Sequence, residues 1–261
     1  MQFCPQTGLV REHHAWLRGF DRSHTGDWDY LLADNPEAAL CEAAVRRILE
    51  QNGNVVEPAA RLHGSRRSPD FRCGQARKTF FVEVTCISIE RATERTGLAH
   101  RPHHFDFAGV GRLSDAIFHE CRRKTPQCSG LPGPAILAVG TFHWYASYLC
   151  FERAEVELLL TGEPLLAQDV EATTGAPVGA SYLATKLRSA AFLRPHGGWM
   201  SHARHPVAAI LACGLGQDPP TVRCALHPKP VRPFDRALLP GVECCRLLPG
   251  YESGRLRTQW F

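Results

Sequence analysis

No CxxC pair occurs among the 11 cysteines, no apolar run approaches the roughly 20 residues that span a bilayer, and lysine is scarce beside arginine. The first absence leaves no ligand spacing that points to a structural zinc site. The cysteines are odd in number and scattered. Cys244 and Cys245 are adjacent, and a basic segment separates Cys121 from Cys128, so reduced and mostly buried thiols are expected rather than a disulfide framework. The second absence, with an N-terminus (MQFCPQTGLVREHH) that has no apolar signal core, gives the expectation of a cytoplasmic protein without a membrane partner. The arginine bias fits a GC-rich genome, and a formal charge of only +4 does not by itself identify a nucleic-acid binder.

What is present is enough apolar residue, 44% of 261, to bury one large core, and residues 1–261 read as a single elaborated domain. The most informative stretch is SPDFRCGQARKTFFVEVTCIS, residues 68–88. From Lys78 to Ile87 nearly every position is β-branched, aromatic or small and apolar, which favours a strand. Alternation puts Phe81, Glu83 and Thr85 on one face and Phe80, Val82, Val84 and Cys86 on the other. Ser68-Pro69-Asp70-Phe71 and the turn at Gly74 predict a shorter strand paired to this one as a hairpin, which brings Asp70 beside Glu83. Two half-buried carboxylates need a proton or a cation between them, and oxygen donors of this kind suit Mg²⁺ or Mn²⁺. The plainer alternative is that Asp70 caps a turn and Glu83 pairs with a nearby arginine.

Pro69-Asp70, a spacer containing a turn, and an apolar strand bearing Glu83-Val84-Thr85 resembles the core motif of the PD-(D/E)XK nuclease superfamily, the restriction-endonuclease-like fold. The flanks resemble that core too, over residues 35–142. Asn35-Pro36-Glu37 is a helix start, and Leu40, Ala44, Val45, Ile48 and Leu49 form an apolar stripe that ends at Gly53. NVVEPAARLHG supplies a first strand and turn. RLSDAIFHECRRKTPQC reads as a second core helix, with Leu113, Ala116, Ile117, Glu120 and Cys121 at helical spacing, and PAILAVGTF reads as a buried strand. The resemblance implies an α/β fold with a mixed central sheet flanked by helices, elaborated over residues 143–261. It also implies metal-dependent hydrolysis of DNA phosphodiester bonds, in which Asp70 and Glu83 bind Mg²⁺ or Mn²⁺ and the Val84 carbonyl completes the inner shell. A glutamate of the first helix, Glu42 with Glu37 in reserve, points to the metal in such proteins. The third motif position is normally lysine and here is Thr85, whose hydroxyl holds a water but carries no charge. Lys124 is the relocated lysine implied by members that move it to the neighbouring helix; Lys78, Arg122 and Arg123 are weaker substitutes.

Elsewhere the sequence is less legible. IERATERTGLAHRPHHFDFAGVG reads as a long polar loop, FERAEVELLL as a helix, TGEPLLAQDVEATTGAPVGAS as a connection and PVAAILACGLG as a buried strand. In VRCALHPKPVRPF the prolines are expected to limit regular structure. Basic residues cluster at Arg61, Arg66, Arg67, Arg72, Arg77 and Lys78, at Arg112, Arg122, Arg123 and Lys124, and at Arg223, Lys229 and Arg232, a surface that attracts phosphates. The implied partner is nucleic acid, DNA ahead of RNA, with a homodimer or a protein partner left open. No histidine, His103 and His104 included, receives a role. Two other functions stand beside the nuclease: an inactive nucleic-acid- or partner-binding module of the same fold, and a Cys/His metal-binding or redox protein.

Overall fold

The computed structural model describes residues 7–59, 68–100, 113–186, 190–196, 199–249 and 256–261. Three helices open the chain, α1 (Thr7–Leu17), α2 (Arg22–Asp34) and α3 (Pro36–Gln51). Asn35 ends one helix and starts the next: its backbone N–H bonds to the Leu31 carbonyl, and its side-chain oxygen accepts from the Ala38 N–H at 3.1 Å. Pro36 then sits where a missing N–H costs nothing. Buried Arg46 ties α1 to α3 by pairing with Glu12 and Glu50 and donating to His13 Nδ1. Burial foremost, with Arg46 beside it, holds His13 down at about 3, so its ring is neutral and accepts that bond.

An eight-stranded mixed sheet follows, in the order β1-β2-β3-β4-β9-β10-β11-β12. Strands β1 (Val55–Pro58), β2 (Phe71–Gln75) and β3 (Lys78–Cys86) form an antiparallel meander. β4 (Ala135–Thr141) is parallel to β3, and β9 (Val207–Gly214) is parallel to β4. β10 (Thr221–Leu226) runs antiparallel to β9, β11 (Glu243–Leu247) parallel to β10, and β12 (Thr258–Trp260) closes the row. Every residue of β4 and β9 is buried, as continuous apolar runs require when both sheet faces are covered. One face carries Phe80, Val82, Val84, Ile136 and Leu211 against α1 to α3. The other carries Phe81, Leu137, Val139 and Ile210 against α5 (Ser114–Lys124) and α7 (Arg153–Thr161). The alternation along β3 is therefore as expected, and Glu83 lies on the α5 side.

Three expectations are corrected. Residues 89–96, expected within a loop, form α4 (Ile89–Thr96). Ser88 accepts from the Arg91 N–H, and Gly97 closes the helix at φ 71°; its inward side is Ile89, Ala92 and Thr96, at helical spacing but spanning only two turns of a polar stretch. The connection expected from residue 161 on contains a hairpin of β5 (Glu163–Val170) and β6 (Pro177–Lys186), because its glycines and threonines concentrate in the turn and at a bulge. The expectation for VRCALHPKPVRPF is corrected in part: residues 222–226 belong to β10, while residues 227–235, which hold its prolines, contain no helix or strand. α6 (Trp144–Leu149) and a second hairpin, β7 (Leu193–His196) with β8 (Trp199–His202), complete the elements. Among the described residues no helix is long and apolar enough to cross a membrane.

At the end of β9, Gly214 sits beneath α6, and an added Cβ would lie 2.5 Å from the Ser147 carbonyl oxygen. Gly214→Ala is expected to push α6 outward and cost about 1–3 kcal/mol, an overpacking penalty read as a lower midpoint in urea denaturation. An unchanged midpoint would mean that α6 is not held against the sheet.

Candidate active site

The hairpin sets the two acids face to face. Its register runs from Gln75 opposite Lys78 to Phe71 opposite Val82, so the next rung is Asp70 opposite Glu83. The Asp70 N–H donates to the Val82 carbonyl at 3.0 Å, and the Asp70 carbonyl accepts from Ala59 at 3.0 Å, which fixes the residue between β1 and β3. Its carboxylate accepts from the Val84 N–H at 2.6 Å. In a strand the N–H and C=O of one residue point to the same side. The Val84 carbonyl is thus directed to the Asp70 side, beyond the last rung of the β2 ladder.

Glu83 is 1% exposed. One carboxylate oxygen, Oε1, receives the ammonium of Lys124, the last residue of α5, while Oε2 is buried with no hydrogen-bond partner. Burial raises the Glu83 pKa to about 8, with Asp70 adding to the rise and Lys124 opposing it. Burial likewise lifts Asp70 to about 6 against the Val84 hydrogen bond and Lys124. Glu42, half-buried on α3, is raised well above the usual carboxylate range by burial and then by the charges of Asp70 and Glu83. Three carboxyls and one ammonium thus share a poorly hydrated place; Glu83, at about 8, largely keeps its proton at neutral pH, whereas Asp70, at about 6, is mostly ionised there.

The other predicted residues divide. Thr85 lies on the Glu83 face, but its hydroxyl donates to Glu120 Oε2 at 2.9 Å and accepts from Arg123 Nη2 at 3.2 Å. Glu37, the reserve acid, accepts from the Ile89 N–H at 2.7 Å and so caps α4. Lys78 pairs with Asp235 near the hairpin turn, Arg72 with Glu57, and Arg223 with Glu243 and Glu152. The Arg232 guanidinium donates to the Leu131 carbonyl. Arg61, Arg66, Arg67, Arg112, His103 and His104 lie outside the described residues.

Glu120 went unread as a functional residue. It is 3% exposed and gathers Thr85 from β3, Arg91 from α4 at 2.7 Å, and Arg123 from its own helix. Burial raises its pKa, yet the hydrogen bonds from Arg123, Arg91 and Thr85 outweigh that and leave the carboxyl below its ordinary value. The available signal was an acid on the apolar stripe of α5. A cavity of about 700 Å³ opens beside it, lined by residues of α4 and α5 with Cys86 of β3.

Among the described residues no three His, Cys, Asp or Glu side chains form a ready-made metal set. The donors present nevertheless fit Mg²⁺ or Mn²⁺, which are bound through one or two carboxylates and keep several waters. Asp70 and Glu83 face each other, the Val84 carbonyl is directed to the same side, and the orphaned Glu83 Oε2 is a buried acceptor without a donor. The ten described cysteines form no disulfide, and burial pushes Cys121 and Cys213 to about 12, which keeps them protonated and poorly nucleophilic. No protein-family model, curated protein or solved structure matches the chain.

Proposed function

We propose that the chain is a metal-dependent phosphodiesterase with a restriction-endonuclease-like core, acting on DNA in preference to RNA. The observation that carries this reading is the Glu83 carboxylate, buried opposite Asp70, with Lys124 on one oxygen and nothing on the other. An isolated structural ion pair has no need of a second and third carboxyl beside it, and crowding like charges costs stability unless a cation is to be held. The order of α3, β1, β2, β3, α5 and β4 agrees with the family core, with α4 inserted before α5.

In this reading Asp70, Glu83 and the Val84 carbonyl hold Mg²⁺ or Mn²⁺, and Glu42 adds negative charge behind them. The bound cation supplies a water of lowered pKa and charge stabilisation at the phosphate. Lys124 takes the part of the motif lysine. Its ammonium, anchored on Glu83, orients the attacking water and stabilises the negative charge that grows on the phosphoryl oxygens. Thr85 does not supply this charge; its hydroxyl is spent on Glu120. The test is cleavage of supercoiled plasmid and single-stranded DNA with Mg²⁺ or Mn²⁺ by the wild-type chain and its Asp70 and Glu83 variants.

Two observations favour a second reading, a binding module without catalysis. The residue two after Glu83 carries no charge, and the lysine that reaches Glu83 neutralises it. That module holds DNA equally well with and without Asp70 and cuts it under no divalent cation.

A further inference from the structure

Arg91 and Arg95 are one helical turn apart on α4, and His119, Arg122 and Arg123 are spaced three and four apart on α5. All five line the cavity of about 700 Å³ between the two helices, and Glu120 is its one acid. Four guanidinium groups therefore face one carboxylate. Glu120 engages Arg91 and Arg123, whereas Arg95 and Arg122 have no acidic partner within ion-pair distance among the described residues. The walls are accessible, since the Arg123 side chain is 60% exposed and Arg91 35%.

We infer that this α4–α5 groove is the track for the phosphate backbone of the nucleic acid, and that Glu120 is a positioning residue that orders Arg91 and Arg123 within it. The inference rests on the nucleic-acid reading of the Asp70–Glu83 centre and extends it to where the strand lies. Guanidinium forks match phosphate oxygens in pairs, and an excess of fixed positive charge over an open groove suits a polyanion better than a small neutral ligand. The groove also adjoins the centre. Glu120 bonds to Thr85, two residues along the same strand face from Glu83, and Arg123 precedes the Lys124 that reaches Glu83. Glu120 binds one arginine through each oxygen, so both guanidinium groups are held before a ligand arrives and less ordering entropy is lost on binding.

The experiment is fluorescence anisotropy of a labelled 30-base-pair DNA duplex titrated with the full chain over a series of KCl concentrations. For the Arg95→Gln/Arg122→Gln variant the slope of log K against log salt is expected to shrink by about two, one released counterion per lost phosphate contact, with affinity about 10- to 100-fold weaker. Glu120→Gln discriminates between roles because it makes the groove more positive. A carboxylate that only weakens the field predicts tighter binding, whereas a positioning role predicts binding several-fold weaker, restored in part by Glu120→Asp, with thermal unfolding recorded to confirm folded protein. An unchanged salt slope in the double arginine variant, with wild-type binding intact, overturns the groove and leaves the Asp70–Glu83 reading standing. Tighter binding by Glu120→Gln overturns the positioning role. Wild-type protein that binds no DNA at any salt overturns the groove together with the reading beneath it.

Discussion

Glu83→Gln and Asp70→Asn are each expected to lower Mg²⁺-dependent plasmid cleavage by about 10²–10³-fold or more, the usual loss when a charge stabiliser is removed from a transition state. Both changes keep volume and remove only charge. In Glu83→Gln the amide oxygen can still accept from Lys124, so the fold is retained while the cation site loses a ligand. Chelation of divalent ions is expected to silence the wild-type chain to the same degree, and Mn²⁺ is expected to raise the thermal midpoint of the wild type but not of Glu83→Gln. Cleavage by either variant within about threefold of wild type would remove both acids from the chemistry, since a lost ligand should cost far more than that. No cutting by the wild type on any tested DNA, with binding equal in the variants, would turn the reading to the binding module.

The second large effect concerns Lys124 and depends on pH. Asp70 and Glu83 have folded pKa values of about 6 and 8, above the ordinary 3.8 and 4.5, because burial disfavours their charged forms. At these two carboxyls the folded state therefore holds more protons than the unfolded state between about pH 4 and 8. The stability these carboxyls contribute is full below their unfolded values and is lost as pH rises through the folded ones. Lys124 opposes that loss by pairing with ionised Glu83. In Lys124→Met, at pH 5, Glu83 is protonated and the cost should be small. At pH 9 the variant must either bury an unpaired carboxylate or keep its proton, and about 3–5 kcal/mol is expected, the range for breaking a buried pair. Urea denaturation at pH 5, 7 and 9 measures it. A penalty that does not grow with pH would show that Lys124 is not what neutralises Glu83. Cleavage by Lys124→Met is expected to fall as far as in the acid variants, whereas Lys124→Arg keeps the charge but not the compact point ammonium and should recover only part of it.

The candidate site was readable in part because its first half is local. The period of two along β3 separated Glu83 from Val82 and Val84, but the turn falls at Ala76 and Arg77 and not at the expected Gly74, which pairs with Thr79 inside the ladder, and that placement is what sets Asp70 opposite Glu83. Asn35 and Pro36 likewise announced α3 through backbone chemistry within a few residues. Those features follow from steric preferences and side-chain alternation, which the chain carries in its own order. Which cation meets Glu83 is another matter. Residue spacing alone does not choose among Lys78, Lys124, Arg122 and Arg123; the resemblance put Lys124 first, and its contact with Glu83, 41 residues away, depends on how α5 packs over β3 and which turn of that helix faces the strand.

The Glu120 cluster shows the same division. Spacing puts Glu120 on the apolar stripe of α5, and only the packing of β3 and α4, which brings Thr85 and Arg91 to it, shows what the acid does there. α4 spans only eight residues, so its helical spacing of Ile89, Ala92 and Thr96 runs over just two turns of an otherwise polar stretch. By itself the sequence determined the mixed α/β character, the hairpin and the pairing of two acids, because each depends on neighbours along the chain. The tertiary structure alone decided the charge partner of Glu83, the commitment of Thr85 to Glu120 and the arginine-lined groove, because each depends on packing between elements distant in sequence.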